Sequence, residues 1–369
     1  MRTLVFWSLT FLVNIVLIYR GISKGIEKFC SWAMPVMAIC ATIVLIRVLT
    51  LGTPDPSKPD QNVLNGLGYM WNPNFDALAN AETWLAAAGQ IFFSLSVGFG
   101  VILNYASYMT KDDDVALSGL AASATNELFE VGFGGLITLT ASFVFLGLAG
   151  TISAIETGSF GLGFATLPVV FAHMGAFGNA IGVIWFFMLF LAAITSSISM
   201  YQPSLAFFQE SLGWSRKGAT TLLIMICVVG SFLVMYFSEG GRFRTTLDDW
   251  VGTFLIFILA GVQIICFSWV FGIERGWREL HQGSQIKIPF VYKFIMKWVA
   301  PTYLLTVFFF FCKNNLAQWV ADVVADRMRQ GAIALILAVI VLLVVCVRIG
   351  ETRWRKQGLD IDDRKPPSD

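Results

Sequence analysis

The sequence predicts an all-α polytopic membrane protein with nine transmembrane helices, and three observations carry that prediction. Of the 369 residues, 56% are hydrophobic and only 13% are charged, against about 25% charged in a soluble domain. Mean hydropathy is +0.71. Apolar runs long enough to cross a hydrocarbon layer of about 30 Å recur along the chain, parted by polar or Gly/Pro-rich punctuation. The same composition excludes other classes. A net charge of +1 without a basic run gives nucleic acid no footprint. The six cysteines are scattered, with no CxxC pair, and His173 and His281 lie outside the most apolar runs, so no metal-ligand spacing results. Thr3 to Tyr19 has no A-x-A-like exit and reads as a span, not a cleaved leader.

In order, the spans are roughly 3–19, 29–50, 82–109, 115–148, 177–211, 218–238, 249–271, 290–312 and 331–349. The polar link Arg20 to Lys28 parts the first two. A long loop, 51–81, carries Pro54, Pro56, Pro59 and Pro73. A second, 149–176, is Gly-rich and semi-apolar, suited to short helices lying over the protein. Residues 1–350 form the membrane core and 351–369 a charged tail read as disordered. Most of the 25 Lys and Arg fall on one side if the 20–28 link is cytoplasmic. That places the N-terminus outside and the C-terminus inside.

Three stretches carry polar groups at membrane depth. The third span, Trp84 to Tyr108, is uncharged, yet its middle reads Ser94-Leu95-Ser96-Val97-Gly98-Phe99-Gly100. Glycine costs roughly 1 kcal/mol in a helix interior. A helix that opens there exposes backbone groups that lipid cannot satisfy, which is tolerated only in protein or beside a cavity. Secondary transporters hold substrate and coupling ion in this way; a small-residue packing face is the other reading. In the fourth span, Asn126 and Glu130 share a helix face, with Glu127 beside them. An acid at depth is a functional candidate, unless Glu127 sits shallowly and Asp112-Asp113-Asp114 simply cap the helix. In the fifth, Ala192, Thr195, Ser196 and Ser199 form one small polar stripe. Such stripes pack against neighbours or offer oxygen to a hard cation. Gln202-Pro203 loosens the carbonyl pattern one turn later.

The runs QIFFSLSVGFGVILNYASY, Ser118-Gly119-Leu120 to Asn126-Glu127, and LAAITSSISMYQP resemble helices 6, 7 and 8 of the neurotransmitter:sodium symporter family, in its bacterial amino-acid transporter branch. YRGISKGIEKF is similar to that family's helix 4–5 hairpin. The resemblance implies helices 4 to 12 of a twelve-helix protein. The fold is then a partial bacterial leucine-transporter-like inverted repeat lacking helices 1–3.

The resemblance also implies roles. Phe93, Ser94, Ser96, Phe99, Ser196, Ser199 and Met200 match substrate-site positions. Ser94 and Asn126 match ligands of a first sodium; Ala192 (by its carbonyl), Thr195 and Ser196 match a second. Both sodium sites are expected to be incomplete without helix 1. Glu130 matches the carboxylate that replaces chloride in chloride-independent members. Tyr108, Glu210 and Asp248 match gate positions, the two acids left without their gate partners, and the unwound backbone at 95–100 faces lipid or an incomplete cavity. The implied activity is sodium-coupled symport of a neutral, hydrophobic or aromatic amino acid in the bacterial inner membrane, a homodimer being the assembly to test. The alternatives are a non-transporting fragment or assembly partner, and a membrane enzyme. The last is weak, since no nucleophile–base pair stands at depth.

Overall fold

The computed structural model describes residues 2–156, 158–237 and 240–359, which contain no strand. Among the described residues, seven helices are long and apolar enough to cross a membrane: Gly25–Leu49, Val115–Glu156, Gly175–Leu212, Arg216–Tyr236, Arg242–His281, Val291–Ala325 and Arg327–Lys356. Of the nine expected spans, seven meet one of these. The first, 3–19, meets a shorter apolar helix, Leu4–Arg20. Gly21, at φ 86°, adopts a left-handed conformation that other residues avoid, and ends it. The third, 82–109, meets two helices, Ala81–Ser94 and Val101–Ala106, with the chain opened between them.

Helix starts follow local chemistry. Asp114 Oδ1 accepts from Leu117 N at 2.8 Å, so one acid of the Asp112–Asp114 run caps the fourth span, the alternative role weighed for these acids. Asp326 Oδ1 accepts from Met328 N at 2.8 Å and starts the last helix. The 51–81 loop holds the helix Val63–Trp71, capped by Asn62, whose Oδ1 accepts from Asn65 N at 2.9 Å. The helix Leu136–Glu156 overruns the expected end at 148 through a kink at Gly147, and the rest of that loop carries the short helix Leu167–Ala172. The last helix continues to Lys356, so the expected disordered tail begins as helix. Its remainder, 360–369, lies outside the described residues.

Two compact units result. The first comprises Met1–Gly21, Asn80–Leu117 and Ile198–Asp369. Its core gathers Ala88, Phe257, Ala260, Leu304 and Val307. In the same unit Arg2–Arg20 packs on Arg216–Tyr236, tied by Trp7 Nε1 donating to Ser231 Oγ at 3.2 Å and Arg216 Nη2 donating to the Ile18 carbonyl at 3.1 Å. The second unit comprises Ile22–Ala79 and Ser118–Ser197. Val44, Val48, Ile137, Leu167, Val170 and Phe171 form its core. Outward faces are rich in exposed Leu, Val, Ile and Phe, as a lipid-facing surface requires.

Candidate functional site

In the first unit the site is built on the opened helix. Ser94 ends one helical segment and Val101 starts the next. Between them Ser96 (φ 55°), Gly98 (φ 84°) and Gly100 (φ 77°) all take left-handed backbone. Glycine adopts this freely; a serine there stores of order 1–2 kcal/mol. Gly98 has a second reason to lack a side chain, because a Cβ would stand 2.6 Å from the Ile256 carbonyl oxygen.

Part of this backbone is satisfied within the turn itself. Leu95 N donates to the Ile91 carbonyl at 3.0 Å, Ser96 N to Phe93 at 3.1 Å and Val97 N to Phe92 at 3.0 Å. Turn bonds of mixed span thus replace the regular ladder. Phe93 and Phe99 meet edge to face, centroids 5.9 Å apart, a favoured aromatic geometry. Ser94 and Ser96 are half-buried beside them. Ser199 and Met200 belong to this unit as well. The Tyr105 hydroxyl donates to Ser199 Oγ at 3.2 Å. No local pattern in the sequence pointed to Tyr105, since its partner lies on another helix.

In the second unit the polar stripe becomes a wall. Ala192, Thr195 and Ser196 line a cavity of about 530 Å³ together with Thr125, Asn126 and Met37. Thr195 Oγ1 donates to the Leu191 carbonyl at 3.0 Å and lies 2.9 Å from the Ala192 carbonyl. Back-bonding uses the hydroxyl proton, while the oxygen keeps acceptor capacity. The Asn126 amide donates to Glu130 Oε2 in a long bond of 3.4 Å, and Leu128–Gly135 is a π-helical turn, a feature frequent at functional sites. Glu130 is half-buried, whereas Glu127 is exposed. Beside the Met34 and Met37 thioethers, the polar set on this wall is neutral oxygens and an amide, with one carboxylate behind it. That set fits a small hard cation better than a transition metal. Ser94 belongs to the first unit.

At the gate positions, Asp248 is not without a partner. Arg244 Nη1 sits 2.8 Å from its Oδ2. The i,i+4 spacing on one helix makes this pair readable in the sequence. The Glu210 side chain makes no ion pair among the described residues, while its carbonyl accepts from Arg353 Nη1 at 2.9 Å. Tyr108 is exposed. Beside the opened helix, in the link before the fourth span, Asp114 Oδ2 accepts from Gln285 N at 2.7 Å. That amide, then Leu117 N, holds its carboxyl below the usual carboxylate range.

A model of the sodium:neurotransmitter symporter family matches residues 4–355. An uncharacterised sodium-dependent transporter of Methanocaldococcus jannaschii is 27% identical over 352 residues, 93% of this chain and 67% of that protein. One of Haemophilus influenzae is 26% identical, over 83% of this chain and 65% of that protein. The sodium-dependent nutrient amino acid transporter 1 of Drosophila melanogaster is 26% identical, over 82% and 45% respectively. The chain therefore spans about two thirds of its prokaryotic relatives and under half of the fly protein. The crystal structure of MhsT in complex with L-phenylalanine superposes with a TM-score of 0.68, covering 82% of this chain and 67% of that one at 24% identity, a likeness of fold. With the family matched across nearly its whole length, the chain belongs to the sodium:neurotransmitter symporter family.

Proposed function

We propose that the protein serves sodium-coupled symport of a neutral, apolar or aromatic amino acid by alternating access, without need of chloride. One observation carries the reading: Asn126, Ala192, Thr195 and Ser196 line a single cavity, with Glu130 bonded to Asn126. Sodium held by such oxygens offsets the negative charge of a substrate carboxylate. Binding ion and substrate together biases the two states between which a transporter opens. Phe93, Phe99 and Met200 favour an apolar side chain, and L-phenylalanine, bound by MhsT, is the first substrate to try. Glu130 supplies a fixed negative charge where a chloride ion would otherwise stand.

In this reading the chain provides helices 4 to 12 of the family fold. It crosses a bacterial inner membrane nine times, with its C-terminus in the cytoplasm, and contributes ligands to two sodium sites. The relatives' greater length makes transport a property of the whole protein, so ion binding is the direct test of this chain. Purified chain should melt at a higher temperature in sodium than in equal potassium, and L-phenylalanine should raise it further. No response to sodium would favour the second reading, an assembly partner or non-transporting relative. Within an active transporter, Glu130→Ser should make uptake depend on added chloride. Loss that chloride does not restore would remove the charge-substituting role.

A further inference from the structure

The last helix, Arg327–Lys356, is the least buried of the seven spans, with 11% of its most apolar window inside the molecule. From 330 to 347 it carries no charge, a length of roughly 27 Å at 1.5 Å per residue, close to the hydrocarbon thickness of about 30 Å. Arg348 therefore emerges where lipid headgroups begin. Around it the helix presents a groove of about 600 Å³ lined by Val344, Val345, Ile349, Arg348, Arg353 and Lys356, with Thr352.

Two properties of this face coincide. Val344, Val345 and Ile349 are each about half exposed, although they are aliphatic. Among and just beyond them, within 348–356, stand Arg348, Arg353, Arg355 and Lys356 against one carboxylate, Glu351. Arg348 and Arg355 both pair with Glu351, at 3.1 and 3.2 Å. The Arg353 guanidinium is engaged by the Glu210 carbonyl, which brings no charge. The Lys356 ammonium has no ion pair among the described residues. Positive charge is thus in surplus, and it borders an apolar stripe at headgroup depth. An occupant must carry an apolar chain and an anionic group together.

We propose that this face docks an anionic phospholipid. Its acyl chain lies along Val344, Val345 and Ile349, and its phosphate within reach of Arg348 and Arg353. Lys356 deepens the positive field. Each basic side chain near such a surface strengthens anionic-lipid attraction by about fivefold.

The test uses the full chain, reconstituted in vesicles of equal phosphatidylglycerol and phosphatidylcholine. It is then extracted in mild detergent and weighed intact to count retained lipid. Wild type should retain phosphatidylglycerol over phosphatidylcholine. Arg348→Gln with Lys356→Gln should lower that preference by roughly 25-fold, while Arg348→Lys with Lys356→Arg keeps it, separating charge from fold. Val345→Ser with Ile349→Ser should lower phosphatidylglycerol retention at unchanged charge. Equal retention of both lipids by wild type, or undiminished preference in the Gln variant, would overturn the proposal. So would a disulfide-linked dimer through Ile349→Cys that forms equally without lipid, because a second copy would then cover the face.

Discussion

Ser94 to Gly100 and Ala192 to Ser199 are both runs of small and hydroxyl-bearing residues at membrane depth, yet only the first leaves the helix. The first contains Gly98 and Gly100, which take positive φ at little cost, and they bring Ser96 with them into the same region. The second has no glycine. Its Thr195 hydroxyl bonds back to Leu191 and Ala192, and the helix Gly178–Leu212 runs unbroken even past Pro203. Hydroxyls alone decorate a helix; residues free to adopt left-handed backbone open it. The two stretches therefore offer ligands of different kinds. One presents reoriented backbone with two phenyl rings, the other side-chain and carbonyl oxygens on a rigid wall.

The sharpest way to break this comparison is at the glycines. Gly98→Ala forces a Cβ against the Ile256 carbonyl as well as a left-handed alanine. It should cost upwards of about 2 kcal/mol and abolish any sodium response in a detergent melt. Gly100→Ala meets only ordinary contact, 3.5 Å from the Pro203 Cβ, so about 1 kcal/mol from its φ is expected. Equal losses would mean that φ alone, not the Ile256 contact, governs the opening.

Next comes the wall. Thr195→Val keeps the shape and removes the oxygen. It should cost no more than about 1 kcal/mol of stability, yet raise the sodium needed for half-maximal stabilisation tenfold or more. An unchanged sodium response would detach the stripe from ion binding.

A smaller effect is expected at Asp114. Its folded carboxyl titrates below the usual range, so its contribution is present above the unfolded value, about pH 3.9, and is lost as pH falls through the lower folded value. Asp114→Asn should be less stable than wild type at neutral pH, and the gap should close on acidification in paired melts across pH 3 to 7. A gap that stays constant with pH would mean the carboxylate charge is not what matters.

The smallest effect should come from Arg244→Gln. The ion pair to Asp248 is largely exposed, and exposed pairs contribute about 0–1 kcal/mol. A larger loss in the same melt would give that pair a part in gating.

The amino-acid sequence by itself determined what depends on near neighbours. Asp114 capped the helix it precedes, and Gly98 and Gly100 marked the opening. The i,i+4 spacing of Asn126 and Glu130 gave their pairing. Each involves groups a few residues apart, whose meeting is fixed by backbone geometry. Arg244 and Asp248 were equally readable.

The tertiary structure alone decided which distant groups share a surface. It joined Asn126 to Ala192 and Thr195 on one cavity wall with Met34 and Met37. It set Tyr105 against Ser199, aimed Arg353 at the Glu210 carbonyl and placed the Ile256 carbonyl where a side chain at 98 would stand. These contacts arise from how helices pack. Packing depends on the shape of whole faces, which no local spacing encodes.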